Sequence, residues 1–268
     1  MPNVERNGIR IHYTQRGKGI PLILLMGLGA DGSLWELHAA EYEKHYRCIR
    51  IDNRGAGGSD KPAGPYTTEQ MAQDTLAVMD QLGIAKAHIA GISMGSAIAQ
   101  HVALESPERV FSLSLHCSWM ACDTYTRRIF ETFRSAYDVL PIEEFQRLLQ
   151  LFIFTPQYHE DHLDDLLLRQ QAAAAAKGQM PVHAFQAQCD ACLAHDTMGR
   201  LREIQVPVLL TVGDRDIFTP LSLTQLIQQE IPHAELAVFR GSGHTHHWDQ
   251  LEEFNRLTTA FLMKQREA

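Results

Sequence analysis

The chain has no excess of positive charge: 24 Lys and Arg stand against 32 Asp and Glu, a formal net charge of −8. No basic stripe is available to neutralise phosphates, so a nucleic-acid partner is not expected. Long hydrophobic runs are missing too. None approaches the roughly 20 residues that span a bilayer, and no membrane span is expected. The opening MPNVERNGIRIHYTQRGKG lacks an apolar core of signal-peptide length, which makes a cytoplasmic protein the default. Cysteine is scarce and odd in number, five in 268 residues, which is not a disulfide framework.

One C-x-x-C does occur, Cys189 and Cys192, flanked by His183 and His195. Zinc would need four converging ligands, and no second C-x-x-C is present. A redox motif would stand at the mouth of a βαβ unit, whereas VHAFQAQCDACLAHDTM reads as helix throughout. Two small side chains on one helix face is therefore the reading, with no metal assigned. GLGADG and GAGGSD fall short of a nucleotide-binding glycine loop in helix context, so no cofactor is assigned either.

What the chain does have is an alternation of short apolar runs and helical segments, in a length that suits one large α/β domain or two modest ones. VERNGIRIHYTQRG reads as a hairpin turning at Asn7-Gly8. PLILLMG and RCIRID read as strands, the first buried on both faces. Thr67 to Gln70 offers a capping box for a helix ending near Gly83. KAHIA is the next strand, SAIAQHVALES the next helix, and VFSLSLHCS the strand after it. This rhythm implies a doubly wound, mainly parallel sheet.

From about Trp119 to Met198 the rhythm stops, and a helix-like stretch studded with phenylalanine takes over. It resumes with VPVLLTVGD, LSLTQLIQQEI, AELAVFRG and QLEEFNRLTTAFLMKQR. The division expected is a core of residues 1–118 and 199–268 with a helical cap, or lid, over 119–198. Most cap aromatics are read as the cap's own core. Trp119, Phe130, Phe133 and Phe154, with Trp35 on the loop after the PLILL strand, are the candidates to face a substrate.

The chemistry starts at AHIAGISMGSAIAQHVALESPERV. A Gly-x-Ser-x-Gly alone arises by chance about once in ten chains of this length. Here it follows a strand and opens a helix, the context in which the turn strains the serine and lifts its hydroxyl to the carboxyl edge of the sheet. Ser93 is therefore the candidate nucleophile. A serine hydroxyl needs a base, and the base an orienting acid. Of 14 histidines, His244 in FRGSGHTHHWD follows the last apolar strand, with His246 and His247 close enough to compete. VLLTVGDRDIFTP puts Asp214 and Asp216 after the preceding strand, and position alone allows either.

Along essentially its whole length the chain resembles the α/β-hydrolase superfamily, an esterase/lactonase-like branch, in the order Ser, Asp, His. The resemblance implies an eight-stranded, mostly parallel sheet. Its G-x-x-D-x-x-x-P falls on Gly213, Asp216 and Pro220, which makes Asp216 the acid. Its G-x-G-H falls on Gly241 to His244, and its D-x-R-G-x-G-x-S loop on residues 52–59. It also implies an oxyanion hole of two backbone N–H groups, those of Met94 and Leu28. Where many relatives have His-Gly ahead of that loop, this chain has Met26-Gly27, which keeps the backbone donor and loses the histidine.

The function expected is a serine carboxylesterase acting on a small-molecule ester. Lactone hydrolysis and carbon–carbon bond hydrolysis with the same triad are the alternatives. An anionic substrate would want a buried arginine, and Arg54 is a candidate, although pairing within its own loop is as good a reading. A non-catalytic binder of the same fold is disfavoured because all three triad positions are filled. A homodimer is compatible with the sequence.

Overall fold

In the computed structural model, which describes residues 2–176 and 178–265, the apolar runs become eight strands of one sheet. They are β1 Asn3–Arg6, β2 Ile9–Arg16, β3 Pro21–Leu25, β4 Arg47–Ile51, β5 Ala87–Ile92, β6 Val110–His116, β7 Val208–Gly213 and β8 Glu235–Phe239. Their spatial order is β1-β2-β4-β3-β5-β6-β7-β8. The pairs β1/β2 and β2/β4 are antiparallel and the rest parallel. The first hairpin turns at Asn7 and Gly8, both at positive φ (51° and 75°), as its tight two-residue loop requires.

Why the central strands read as unbroken apolar runs is clear from β3. Its side chains alternate, Leu22 and Leu24 into one core and Ile23 and Leu25 into the other. Both faces are covered. On one side lie α2 Thr68–Gln81 and α3 Met94–Glu105; on the other α1 Glu36–Tyr42 and α11 Leu251–Lys264. The α2 start is the one expected, with Thr67 Oγ1 accepting from Gln70 N–H at 3.1 Å. The reciprocal half of the capping box is diverted, because Gln70 Oε1 accepts from Arg54 instead.

Between β6 and β7 the chain runs through α4 Thr124–Val139, α5 Ile142–Ile153, α6 Pro156–Asp161, α7 Leu163–Ala175 and α8 Val182–Ala194. Asp123 caps α4 by accepting from Thr126 N–H at 2.7 Å, and Ile129, Phe130, Phe133 and Ala136 then repeat along its buried face. The insertion's two ends meet in a bridge, Ala121 with Asp196, and Thr197 N–H donates to Met120 O at 2.8 Å. The remaining helices, α9 Leu221–Glu230 and α10 His246–Asp249, flank β8.

Behind the carboxyl edge of the sheet sits a buried ion pair. Arg54 reaches Asp74 on α2 through two bonds of 2.7 and 2.8 Å, and Arg6 adds a third at 3.2 Å. Asp74→Ala would leave the Arg54 guanidinium buried without its counter-charge. We expect a loss of about 3–5 kcal/mol in urea unfolding, with the native circular dichroism spectrum retained at low urea.

Candidate active site

Strand β5 enters the turn at Gly91 and α3 leaves it at Met94, with Ser93 at φ 54° and ψ −120°. The reason for glycine on both sides is clearance. A Cβ on Gly91 would lie 2.2 Å from Gly95 O, and one on Gly95 would lie 2.2 Å from Leu25 O. The strained serine is held by its own N–H, which donates to His116 O at 2.9 Å, and by its carbonyl, which accepts from Ser96 N–H and Ser96 Oγ. Met94 N–H is the first amide of α3 and so one of the helix's orphan donors, at its positive dipole end. The loop after β3 comes just as close: a Cβ on Gly27 would lie 3.2 Å from Ser93 Cβ and 3.7 Å from its Oγ. That approach brings Leu28 to the wall of the same cavity as Ser93.

His244, on the loop after β8, lines this cavity as well. Its Nδ1–H donates to Asp216 Oδ2 at 2.8 Å. Asp216 is itself fixed by Phe218 N–H and Thr219 N–H on Oδ1 and by Thr219 Oγ1 on Oδ2. Asp214 points elsewhere, accepting Gly241 N–H at 2.7 Å in the β8 turn. Burial alone would lower the His244 pKa. The fields of Cys117 and Asp216 and hydrogen bonds to both outweigh it, so the ring lies well above the ordinary imidazole value.

The competing histidines are held differently. His246 Nε2 is 2.7 Å from Thr211 Oγ1, and burial pushes its pKa down to about 3. His247 Nδ1 lies 3.1 Å from His38 Nε2, whose other nitrogen donates to Asn255 Oδ1 at 2.8 Å; burial takes His38 down to about 4 and His247 well below its usual value. These rings are neutral partners packed behind His244, and His247 also forms part of the cavity wall.

The inner cavity has a volume of about 120 Å³ and is apolar, walled by Met26, Leu28, Leu34, Ile92, Leu149, Ile153, Phe185, Phe218 and Trp248 around Ser93 and His244. It adjoins an outer chamber of about 520 Å³ between the insertion and the core, sharing Leu28, Leu149, Ile153, Phe185 and Trp248 with it. Among the described residues, the charged side chains of the outer chamber are Asp31, Lys61 and Arg169.

Several expected substrate contacts belong elsewhere. Trp35 is fully buried in the core under α1, because the short helix Gly32–Trp35 turns it inward and leaves Leu34 to face the cavity. Trp119, Phe130 and Phe133 are also fully buried; the two phenylalanines pack 5.2 and 5.3 Å behind Phe218, one layer from the wall. Of the five expected contacts only Phe154 lines either chamber, the outer one. Wall residues that the sequence reading passed over, Phe218 and Trp248, sit two and four positions after Asp216 and His244. Proximity in sequence to the motifs was the signal available. Arg54 is committed to Asp74, lies over Tyr66 and lines neither chamber. Cys189 and Cys192 lie on α8 as read, and burial pushes both thiols far up.

Comparison with known proteins is consistent with this geometry. The model of the alpha/beta hydrolase fold family matches residues 20–251. The chain belongs to the α/β-hydrolase family. A protein of Azorhizobium caulinodans that bears the name carbamate hydrolase RutD is 28% identical over 261 residues, covering 97% of this chain and 98% of that one. The 3-oxoadipate enol-lactonase 2 of Acinetobacter baylyi is 28% identical over 254 residues, 91% of this chain and 88% of that one. Among solved structures, the enol-lactonase of Burkholderia xenovorans LB400 superposes with a TM-score of 0.88 at 25% identity, over 98% of this chain and all of that one. No helix among the described residues is long and apolar enough to cross a membrane.

Two pH effects follow. A base works deprotonated, so kcat/KM should rise with pH through the His244 pKa, above the ordinary ~6.5. Asp216→Asn should move that limb down and lower the plateau on the order of 10³–10⁴-fold; initial rates from pH 5 to 9 measure both. His38 and His246 have folded pKa values below their unfolded ones, so their contribution to stability is complete above ~6.5 and lost as pH falls below it. The urea midpoint should therefore decline steadily between pH 6.5 and 4.

Proposed function

We propose that the protein is a serine hydrolase of small, uncharged carboxylic esters. The observation that carries this reading is the inner cavity, which combines Ser93 and the Asp216-held His244 in one apolar chamber with no Lys, Arg, Asp or Glu among its described wall residues. A substrate with a carboxylate beside the scissile bond would be desolvated there without a partner. Arg54, a buried arginine on the loop after β4, is already paired.

In this mechanism Ser93 Oγ attacks the ester carbonyl as His244 Nε2 takes its proton. The oxyanion rests on the Leu28 and Met94 N–H groups, each worth about 2.7–4 kcal/mol of transition-state stabilisation. The imidazolium, held by Asp216, gives the proton to the departing alcohol, and water then releases the acid from Ser93 by the same steps. Residues 119–198 act as the cap, with the acyl group in the inner chamber and the alcohol in the outer one. At roughly 30 Å³ per water-sized group, the inner chamber accommodates an acyl chain of about four such groups.

A second reading, lactone hydrolysis, is favoured by the enol-lactonase relatives. A lactone presents the same carbonyl, and its alcohol stays tethered after ring opening. Carbamates too are carbonyl compounds open to the same attack.

Hydrolysis of p-nitrophenyl esters from acetate to dodecanoate should peak near butyrate and vanish in Ser93→Ala. A lactone turned over faster than every ester would transfer the assignment to the second reading. No turnover of either class, with Ser93 still labelled by a fluorophosphonate, would reject both.

A further inference from the structure

The helical insertion does more than roof the cavity, because one of its side chains holds the backbone next to the nucleophile. Gln188 is on α8 and fully buried. Its Oε1 accepts from Gly29 N–H at 2.9 Å, and its Nε2 donates to Arg54 O at 2.8 Å. One amide thus joins the loop after β3 to the loop after β4. The second loop is itself immobilised, since the Arg54 side chain is paired with Asp74 and Asn53 Nδ2 donates to Met26 O at 2.8 Å. Three residues earlier on the same helix face, the Phe185 ring lies over Gly29, where a Cβ would come within 3.0 Å of it.

Gly29 adjoins Leu28 in the chain, and its backbone is at φ 73°. A left-handed glycine with no side chain to anchor it has wide torsional freedom. Tying its N–H to Gln188 removes that freedom on the carboxyl side of Leu28, while Gly27, packed against Ser93, limits it on the other side. We infer that Gln188 is a positioning residue that aims the Leu28 N–H at the developing oxyanion, so that the site is complete only when the insertion is seated. The inference rests on the assignment of Leu28 as an oxyanion donor in the proposed mechanism.

A buried glutamine could also serve only to dock the helix, and the two roles differ in what they change. A positioning role is felt in the transition state and not in ground-state binding. Gln188→Met keeps the length and removes both hydrogen bonds. It should lower kcat on short p-nitrophenyl esters by about 10- to 100-fold, less than outright loss of a donor. KM should stay within about twofold of wild type, as expected for an interaction made in the transition state. Affinity for a trifluoromethyl ketone, whose carbonyl becomes an oxyanion on adding Ser93 Oγ, should fall in parallel with kcat/KM. The acid limb set by His244 should not move.

Gln188→Glu is the second variant. Its protonated carboxyl presents the same acceptor and donor pair, so its rate relative to wild type should be high at low pH and drop as the carboxyl ionises against the Arg54 carbonyl. Wild-type kcat and ketone affinity in Gln188→Met would overturn the inference. So would a raised KM at unchanged kcat, or a pH-independent Gln188→Glu ratio. Should the wild-type protein hydrolyse no ester or lactone, the proposed substrate fails, and fluorophosphonate labelling of Ser93 then tests the positioning role alone. Slower labelling in Gln188→Met would uphold it, and equal rates would overturn it.

Discussion

The whole arrangement depends on a lack of room. Strand β5, helix α3 and the end of β3 meet so closely at Ser93 that side chains on Gly91 or Gly95 would strike backbone carbonyls. Because atoms cannot yield there, the chain has one way through the turn, and the serine is left at positive φ facing the carboxyl edge of the sheet. The strain is maintained by the sheet on both sides, through the Ser93 N–H bond to His116 O on β6 and the pairing of β5 with β3 and β6. The parallel sheet is thus the rigid frame against which a serine can be kept in an unfavourable conformation.

The electrostatics of the surrounding layer sort five histidines by their partners. His244 has a carboxylate beside it and tends to hold a proton; His38, His116, His246 and His247 have hydroxyls, an amide or each other, and burial keeps them neutral. The distinction is set by the neighbours of His244, Cys117 and Asp216. Thr211 Oγ1 between His116 and His246 satisfies ring nitrogens without supplying charge, whereas Asp216 supplies both a bond and a charge. A cluster of rings packed around Phe254 can therefore stand next to a proton-accepting site without competing for its proton.

The sequence made the parts governed by backbone geometry easy to read. The hairpin at Asn7-Gly8, the cap at Thr67 and the glycines around Ser93 are positions where only certain residues are possible, so residue identity reports conformation directly. The central strands β3 to β7 were legible for a similar reason, since burial on both faces leaves little choice but apolar residues. The cavity wall was not. Trp35 and Leu34 are neighbours in one short helix, and no periodicity tells which of the two turns inward. Phe130 and Phe133 are apolar, large and well placed in the chain, yet lie one layer too deep, because an amphipathic helix shows which face is buried but not against what. Gln188 was invisible for the opposite reason, being a polar residue in a helical stretch whose partners are 159 and 134 positions away.

The chain enters and leaves the insertion at one place, where Ala121 bridges Asp196 and Thr197 bonds Met120. The entropy of closing that long excursion is thus met at its base, and the helices inside it are a detour whose ends the sheet already holds together. Such a segment can be lengthened, shortened or exchanged for another without disturbing strand order. New specificities can arise on this framework by transplanting a whole roof, and not only by altering walls one residue at a time.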